Sequence, residues 1–162
     1  MNIRVGLGLD IHPFDDSPNR PLILGGTVIP GSLGLSGHSD GDILSHAITD
    51  AILGAAGLGD IGEWFPDTDP KWKNANSLLM LESIVDEVST RGFTVGQVDV
   101  VIALESPKIA PFKREIISNL EKVIKSQVSI KATRPEGLGA LGRLEGMAVW
   151  AVVLLEKSID DG

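Results

Sequence analysis

The run from Met147 to Leu155 restricts the possible folds of this chain more than any other segment. It contains nine consecutive apolar residues, fewer than half of the roughly 20 that a helix needs to cross a bilayer. A strand without polar and apolar alternation is buried on both faces. In a chain of 162 residues, one face of such a strand can pack on helices while the other meets another subunit. The run therefore predicts a strand that is buried on both faces in a homo-oligomer.

Apolar periodicity divides the rest of the chain into strands and helices of ordinary length. The predicted strands cover residues 3–9, 94–104, 129–133 and 147–155, with a short strand or hairpin within 22–30. The predicted helices cover residues 40–57, 77–90 and 111–125. Because no repeat or linker interrupts this order, it predicts one α+β domain over residues 1–162, in which three helices cover one face of a single mixed β-sheet.

The charge balance limits the kinds of partner. The formal net charge of -8 and the isoelectric point near 4.8 argue against a nucleic-acid partner, which needs a basic surface. An anionic substrate would need positive charge from a metal, a helix N-terminus or a few placed basic side chains. The segment Met1 to Arg4 leads into a strand-like segment and resembles neither a signal nor a transit peptide. With no membrane span in the sequence, these features predict a cytoplasmic protein.

The histidines are the strongest sign of chemistry. The chain has no cysteine, so a metal would be held by His, Asp or Glu. Asp10 and His12 are two positions apart in the extended segment that ends the first predicted strand, and they therefore point to the same face. With His46 from the following helix they would form a three-ligand site with a coordination position left open. The alternative is a strand-end aspartate in a turn and two surface histidines.

The segment around the first helix start contains the remaining histidine. His38 stands just ahead of the helix N-terminus, where backbone N–H groups and the helix dipole favour negative charge. Ser39 or Asp40 can cap that helix. Asp42 and Asp50 lie one turn to either side of His46, so either could orient its ring.

Other motifs leave their alternatives open. The residues Gly137–Gly142 match G-x-G-x-x-G, but a strand-like segment follows where a dinucleotide site needs a helix, so we interpret the match as accidental. The polar loop over residues 59–70 is either ordinary turn structure or a lid. Basic residues are either phosphate partners or surface charges, and Arg143 could pair with Glu145. The phosphate candidates are Lys108, Arg134 and Arg143.

Ordered motifs over nearly the whole chain resemble the 2-C-methyl-D-erythritol 2,4-cyclodiphosphate synthase family of the non-mevalonate isoprenoid pathway. They are Gly8–His12, Gly37–Asp42 with His46, Gly59–Gly62, Phe65–Pro70, Pro107–Lys108, Lys131–Thr133, Gly142–Arg143 and Glu145–Gly146. The resemblance implies a homotrimer that associates through the uncovered sheet face, with active sites between neighbouring subunits.

The resemblance also implies roles for particular residues. A divalent metal, usually zinc, would be held by Asp10, His12 and His46, and a second metal, magnesium or manganese, would lie near Glu136. His38 would help to stabilise the transition state, and Arg134 occupies the position of a threonine with the same role. The implied substrate-binding residues are Asp10, His12, His38, Ser39, Asp60, Ile61, Gly62, Phe65, Pro66, Asp67, Thr68, Asp69, Leu104, Pro107, Lys108, Ile109, Ala110, Ala132, Thr133, Arg134, Glu136, Ala140 and Arg143.

The implied reaction is intramolecular phosphoryl transfer by a phosphorus–oxygen lyase. A small cytidine diphosphate substrate, 4-diphosphocytidyl-2-C-methyl-D-erythritol 2-phosphate, closes to a cyclic diphosphate and releases CMP. The chain departs from the family pattern at Arg134, at Pro135, and at Ala140 where a phenylalanine is usual. These departures leave two alternatives, a metal-dependent phosphohydrolase and a trimeric binding protein without turnover.

Overall fold

The computed structural model describes residues 2–157. In this part of the chain, six strands form one mixed sheet in the order β2-β3-β1-β6-β4-β5. The strands are β1 (Asn2–Asp15), β2 (Pro21–Leu24), β3 (Thr27–Leu35), β4 (Phe93–Ala103), β5 (Gln127–Thr133) and β6 (Gly146–Lys157). Only β4 and β5 are paired in parallel. Met1 and residues 158–162, the two ends of the predicted domain, lie outside the described residues.

Three long helices pack on one face of this sheet, as the sequence predicts. The long helices are α1 (Ile43–Ala56), α3 (Ser77–Thr90) and α4 (Lys113–Ile124). The short helices α2 (Ile61–Trp64) and α5 (Gly139–Gly142) lie in the loops. Helix α1 packs on β1 and β6, α3 packs on α1 and β4, and α4 packs on α3 and β5. None of the helices within residues 2–157 is long and apolar enough to cross a membrane.

The close contact between β1 and α1 depends on two glycines. On the helix-facing side of β1, Gly6 and Gly8 lie against the carbonyl oxygens of Ala51 and Ala47. A Cβ atom at either glycine would overlap the helix backbone. The helix therefore lies directly on the strand, and the next residues on this side of β1, Asp10 and His12, continue along the same helix.

The unit β4–α4–β5 positions a second group of loops. Because β4 and β5 are parallel neighbours, their carboxyl ends lie at the same edge of the sheet. Ala103 is paired with Thr133 at this edge, and the N–H of Leu104 donates to the carbonyl oxygen of Thr133. The segments that follow the two strands therefore lie side by side.

The second face of the sheet is apolar and uncovered in the single chain. On β1, alternate side chains expose between 47% and 66% of their area. They are Ile3, Val5, Leu7, Leu9 and Ile11. Trp150 and Val152 of β6 belong to the same face and are also exposed. In the single chain the helices therefore cover one face of β6, while Trp150 and Val152 on the second face are exposed. Burial of that face against another subunit stays a prediction.

Several predicted bounds and loops differ from the structure. Strand β1 continues past His12 to Asp15 because it pairs first with β6 and then with β3. The predicted loop over residues 59–70 contains α2 and leads into a 3₁₀ turn, Pro70–Trp72. Their first turns are capped by Asp60 and Asp69. The glycine-rich segment contains the short helix α5 and leads into β6, which runs antiparallel to its neighbours.

Candidate active site

One strand and one helix bring the three predicted metal ligands together. The Oδ2 atom of Asp10 lies 3.1 Å from Nε2 of His12 and 3.1 Å from Nδ1 of His46. One ligand atom of each residue lies within 4.8 Å of the other two. All three side chains are partly buried, and the two imidazole rings lie 5.9 Å apart between centroids. The predicted cluster is therefore confirmed.

Hydrogen bonding around His12 shows that this cluster fits a cation. Nδ1 of His12 contacts the carbonyl oxygen of Ser36, and a carbonyl only accepts, so Nδ1 carries a hydrogen and Nε2 is the nitrogen left to bind. The hydrogen bond to Asp10 raises the pKa of His12, against the effect of burial. The raised pKa means that His12 readily holds a proton on the side of Asp10. A divalent metal bound there would replace that proton. Two imidazole nitrogens and one carboxylate oxygen are a donor set that zinc accepts.

Asp10 is an anion at neutral pH. Burial raises the pKa of its carboxyl group, but hydrogen bonds from His12 and His46 outweigh burial and lower the pKa to about 2. The carboxylate is therefore available over the whole physiological range.

Neither predicted orienting aspartate contacts the ring of His46. Asp42 is fully buried at the start of α1 and accepts hydrogen bonds from the backbone N–H groups of Gly25 and Gly26 and from Ser45. Asp50 accepts from the backbone N–H of Ile61. The prediction for these two aspartates is therefore wrong, because both carboxylates satisfy backbone donors instead. Asp42, not Ser39 or Asp40, is the N-cap of α1.

Arg20, which belongs to none of the motifs above, holds the segment before α1. Its guanidinium donates to the carbonyl oxygens of Leu35, Gly37 and Ser39, the last two at 3.0 and 2.8 Å. This segment contains His38. An arginine in the loop before β2 has no sequence pattern that links it to residues 35–39, so only the structure reveals the contact.

These residues line a cavity of about 340 Å³ beside the metal cluster. Ser39 is 6% exposed and lies in its wall. The Nε2 atom of His38 is buried and has no hydrogen-bond partner within residues 2–157, so it is available to a bound ligand. The cavity lining consists of Asp10, His12, Gly37, His38, Ser39, His46, Ile61, Gly62, Phe65, Asp67, Trp72 and Met80.

A second cavity, of about 500 Å³, lies at the carboxyl ends of β4 and β5. Most of the residues predicted for the nucleotide side line it. They are Leu104, Pro107, Lys108, Ile109, Ala110, Ala132, Thr133 and Arg134, together with Glu105, Ser106 and Leu144. The first and second cavities share no lining residue, so within one chain they are separate.

Arg134 is held by an ion pair at the edge of the second cavity. Its Nη2 and Nε atoms lie 2.7 and 3.1 Å from Oε1 of Glu105, and Oε2 of Glu105 accepts from the backbone N–H of Gly137. The hydrogen bond from Arg134 lowers the pKa of Glu105, and the pair raises the pKa of Arg134. The guanidinium is therefore charged and tethered to the cavity wall.

The structure leaves some predicted site residues outside both cavities. Pro66, Thr68, Ala140 and Glu136 line neither of them. Asp60 and Asp69 cap helical turns, and Arg143 pairs with Glu145 at 2.6 Å. The structural ion pair considered for Arg143 is thus present. Conversely, Trp72 and Met80 line the first cavity although no motif pointed to them, and Trp72 packs edge-on against Phe65 with ring centroids 4.8 Å apart.

The fold and the site together define a class of protein. The chain is an α+β protein whose single mixed sheet is covered by helices on one face, and it carries a His–His–Asp cluster that could hold a metal between a strand and a helix. The chain belongs to the YgbB family, whose family model matches residues 3–156.

Known relatives cover the chain almost completely. A protein of Enterococcus faecalis named 2-C-methyl-D-erythritol 2,4-cyclodiphosphate synthase is 51% identical over 158 residues, which cover 96% of this chain and 99% of the relative. A relative of the same name from Nostoc is 47% identical and covers 98% of this chain and 96% of its own length. The expected family membership is therefore confirmed.

Solved structures agree with this assignment. The bifunctional IspDF of Campylobacter jejuni has a TM-score of 0.92 and 47% identity, and the match covers 97% of this chain but 43% of that protein. The IspF of Plasmodium falciparum in complex with CDP has a TM-score of 0.84 and 33% identity, with 98% of each chain covered.

Proposed function

We propose that this chain converts 4-diphosphocytidyl-2-C-methyl-D-erythritol 2-phosphate into 2-C-methyl-D-erythritol 2,4-cyclodiphosphate and CMP. The observation that carries this proposal is the cluster of Asp10, His12 and His46 in one cavity with His38 and Ser39. The names of the relatives support the same reaction, and the CDP complex of the Plasmodium falciparum protein supports a cytidine diphosphate ligand.

The proposed reaction is balanced within one substrate molecule. An oxygen of the 2-phosphate forms a bond to the β-phosphorus, and the bond from that phosphorus to the bridging oxygen breaks. The bridging oxygen leaves with CMP, and the two remaining phosphates close the ring. Because the attacking phosphate is already an anion, the site needs no strong base, and its task is to align the two phosphates and offset their charge.

A divalent metal, which we propose to be zinc, would be held by Asp10, His12 and His46. When bound, it supplies positive charge that offsets the charge of phosphate oxygens. The hydroxyl of Ser39 and the ring of His38 line the same cavity and can donate hydrogen bonds to those oxygens. The methylerythritol part is proposed to bind to the backbone of Ile61 and Gly62. The residues proposed to lie near it are Asp60, Phe65, Pro66, Asp67, Thr68 and Asp69.

The nucleotide part is proposed to bind in the second cavity. The segment from Leu104 to Ala110 and the residues around Thr133 surround a volume large enough for a nucleoside. Arg134 presents a charged guanidinium at the edge of this cavity, where it can contact phosphate. Glu136 is proposed to lie near a second metal, magnesium or manganese, bound with the diphosphate. Ala140 and Arg143 are proposed to complete this side in the assembled protein.

Assembly as a homotrimer is part of the proposal. The two halves of the site line separate cavities in one chain, and the exposed apolar residues of β1 and β6 form a patch of the kind that marks an interface. We expect Leu7→Glu to give a folded monomer in sedimentation velocity, while the unchanged chain sediments as a trimer. A monomeric unchanged chain would refute the assembly.

We also propose that the protein is located in the cytoplasm, and cell fractionation tests this location.

A product assay tests the function itself. Phosphorus NMR of the chain with its proposed substrate, zinc and magnesium is expected to show a cyclic diphosphate together with CMP. Linear phosphate products would instead indicate a phosphohydrolase in which water is the nucleophile. Binding of CDP without any reaction of the substrate would indicate a binding protein without turnover.

A further inference from the structure

The hydroxyl of Ser77 connects the metal cluster to a carboxylate that the proposed function does not use. Ser77 is the first residue of α3 and is fully buried. Its Oγ atom lies 2.8 Å from Nε2 of His46 and donates a hydrogen bond to Oδ1 of Asp40. Asp40 precedes α1 in the chain, so three separate segments meet at this hydroxyl.

The carboxylate of Asp40 determines the direction of these hydrogen bonds. It also accepts from the backbone N–H of Ser77 at 3.1 Å and from the backbone N–H of Asp42 at 3.1 Å. A carboxylate is an acceptor only, and hydrogen bonds to it are stronger than those between neutral groups. The single hydroxyl hydrogen of Ser77 therefore points to Asp40, and a lone pair of its oxygen points to His46.

The contact between Ser77 and His46 needs one hydrogen. Because the Ser77 oxygen presents a lone pair there, Nε2 of His46 must carry that hydrogen. The hydroxyl of Ser39, 2.9 Å from the same nitrogen, lies 3.1 Å from the Ser77 oxygen and accepts from the backbone N–H of Gly41 at 3.3 Å. It therefore belongs to the same network but contacts no carboxylate. The ring of His46 is thus held with a hydrogen on Nε2, so Nδ1, 3.1 Å from Oδ2 of Asp10, is the nitrogen left to bind a metal.

His12 is held in the complementary way. Its Nδ1 atom donates to the carbonyl oxygen of Ser36, which leaves Nε2 facing Asp10. Both rings thus direct one nitrogen at the shared carboxylate while their other nitrogen is bonded to the protein. Such bonds to the far nitrogen of a metal-binding histidine fix the ring and increase metal affinity.

We propose that Ser77, oriented by Asp40, is a positioning residue that holds His46 in the form with hydrogen on Nε2 and thereby strengthens binding of a divalent metal. The catalytic consequence of this role rests on the proposed function, whereas the metal-binding consequence does not. Through Ser77, the start of α3 contributes to the metal site without touching the metal or the substrate.

The experiment compares three variants of the full-length chain. Ser77→Ala removes the hydroxyl, and Asp40→Asn keeps the hydroxyl but places an amide hydrogen against one of its donors. The matched control is Asn76→Ala, which removes the N-cap of the same helix, where the side chain accepts from Leu78 and Leu79, and leaves the network around His46 intact. Thermal unfolding of each variant verifies folding before the measurements.

Two measurements read the role directly. Zinc affinity is measured by competition with a chromogenic chelator, and the protonated nitrogen of His46 is identified by long-range ¹H–¹⁵N NMR of the chelator-treated chain. We expect Ser77→Ala and Asp40→Asn each to weaken zinc binding on the order of tenfold and to lower the fraction of His46 rings that carry a hydrogen on Nε2. Asn76→Ala should keep the zinc affinity and the ring form of the unchanged chain.

Clear outcomes would overturn the proposal. Zinc affinity within twofold of the unchanged chain in both Ser77→Ala and Asp40→Asn would exclude the role. An equal loss in Asn76→Ala would show that the effect arises from the stability of α3 alone. Neither measurement uses substrate. A chain that shows the expected zinc pattern but forms no cyclic product would therefore contradict the proposed function and not the role of Ser77.

Discussion

Gly8 of β1 lies directly against the backbone carbonyl of Ala47 in α1. The two neighbouring positions on these elements carry the site, since Asp10 follows Gly8 on the same side of the strand and His46 precedes Ala47 in the helix. The short distance between strand and helix is what places Oδ2 of Asp10 3.1 Å from Nδ1 of His46.

Replacement of Gly8 by alanine should separate these elements. A Cβ atom there would overlap the Ala47 carbonyl oxygen and lie 2.8 Å from the backbone nitrogen of Ala51, so the helix must move. We expect Gly8→Ala to lower the free energy of unfolding by about 1–3 kcal/mol and to weaken zinc binding. Gly54→Ala in the same helix is the control, because a Cβ there has no neighbour within 4 Å; it should raise the free energy of unfolding by about 0.5–1 kcal/mol. Urea unfolding measures both, and an unaffected Gly8→Ala protein would contradict the close packing.

Removal of one metal ligand should abolish stoichiometric zinc. We expect His12→Ala to fall far below about one zinc per chain after dialysis, while its sedimentation coefficient stays that of the unchanged protein. His38→Ala is the control, since His38 lies in the cavity but outside the three-residue cluster, and it should retain its zinc. Elemental analysis checks both variants. Full zinc content in His12→Ala would refute the assignment of this ligand.

Loss of Arg20 should impair turnover more than stability. The guanidinium holds three carbonyl oxygens around His38, so Arg20→Ala should allow this segment to move. We expect kcat/KM to fall between tenfold and a hundredfold, since small displacements of positioned groups have effects of roughly this size. Steady-state kinetics of CMP release measures this. Arg91→Ala, which breaks an exposed ion pair with Glu87, should leave kcat/KM unchanged, and an equal fall there would exclude a local effect.

The buried carboxylate of Asp42 should be important for stability. It accepts from the N–H groups of Gly25 and Gly26, each at 2.9 Å, and from the backbone and hydroxyl of Ser45 at 3.2 and 2.7 Å. Burial raises its pKa, whereas these donors favour the charged form. Asp42→Asn places an amide hydrogen against such donors and should lower the free energy of unfolding by on the order of 3 kcal/mol. Asp50→Asn, which affects a single backbone donor, should have a much smaller effect in the same urea titration.

The pair of Arg134 and Glu105 should control affinity for the nucleotide. We expect Arg134→Ala to weaken CDP binding by about fivefold to tenfold, because a charge that contacts phosphate is lost from an exposed site. If Glu105 acts only by holding Arg134, then Glu105→Gln should add no further loss in the Arg134→Ala background. Isothermal titration calorimetry with CDP measures all four proteins. Unchanged affinity in Arg134→Ala would exclude Arg134 from the nucleotide site.

Local patterns in the sequence determined the elements and most of the candidate metal site. The spacing of Asp10 and His12 places both on one face of a strand whatever the strand packs against, because side chains alternate along an extended backbone. A second local pattern predicted three long helices close to their observed bounds. Each of these segments has an apolar stripe at helical spacing that needs a core to cover it. The apolar run from Met147 to Leu155 likewise predicted a strand, and β6 contains all of it.

Contacts between distant segments were decided only by the tertiary structure. Asp42 lies one turn from His46 in sequence, yet the turn at Gly25 and Gly26 provides two backbone donors that hold its carboxylate away from the ring. The ring of His46 is instead hydrogen-bonded to the hydroxyl of Ser77, 31 residues further along the chain. Which donor reaches which acceptor depends on how β1, α1 and α3 pack, and no spacing within one element determines that. The sequence by itself thus determined which residues could bind a metal, and the packing of the helices on the sheet decided which residues hold them in place.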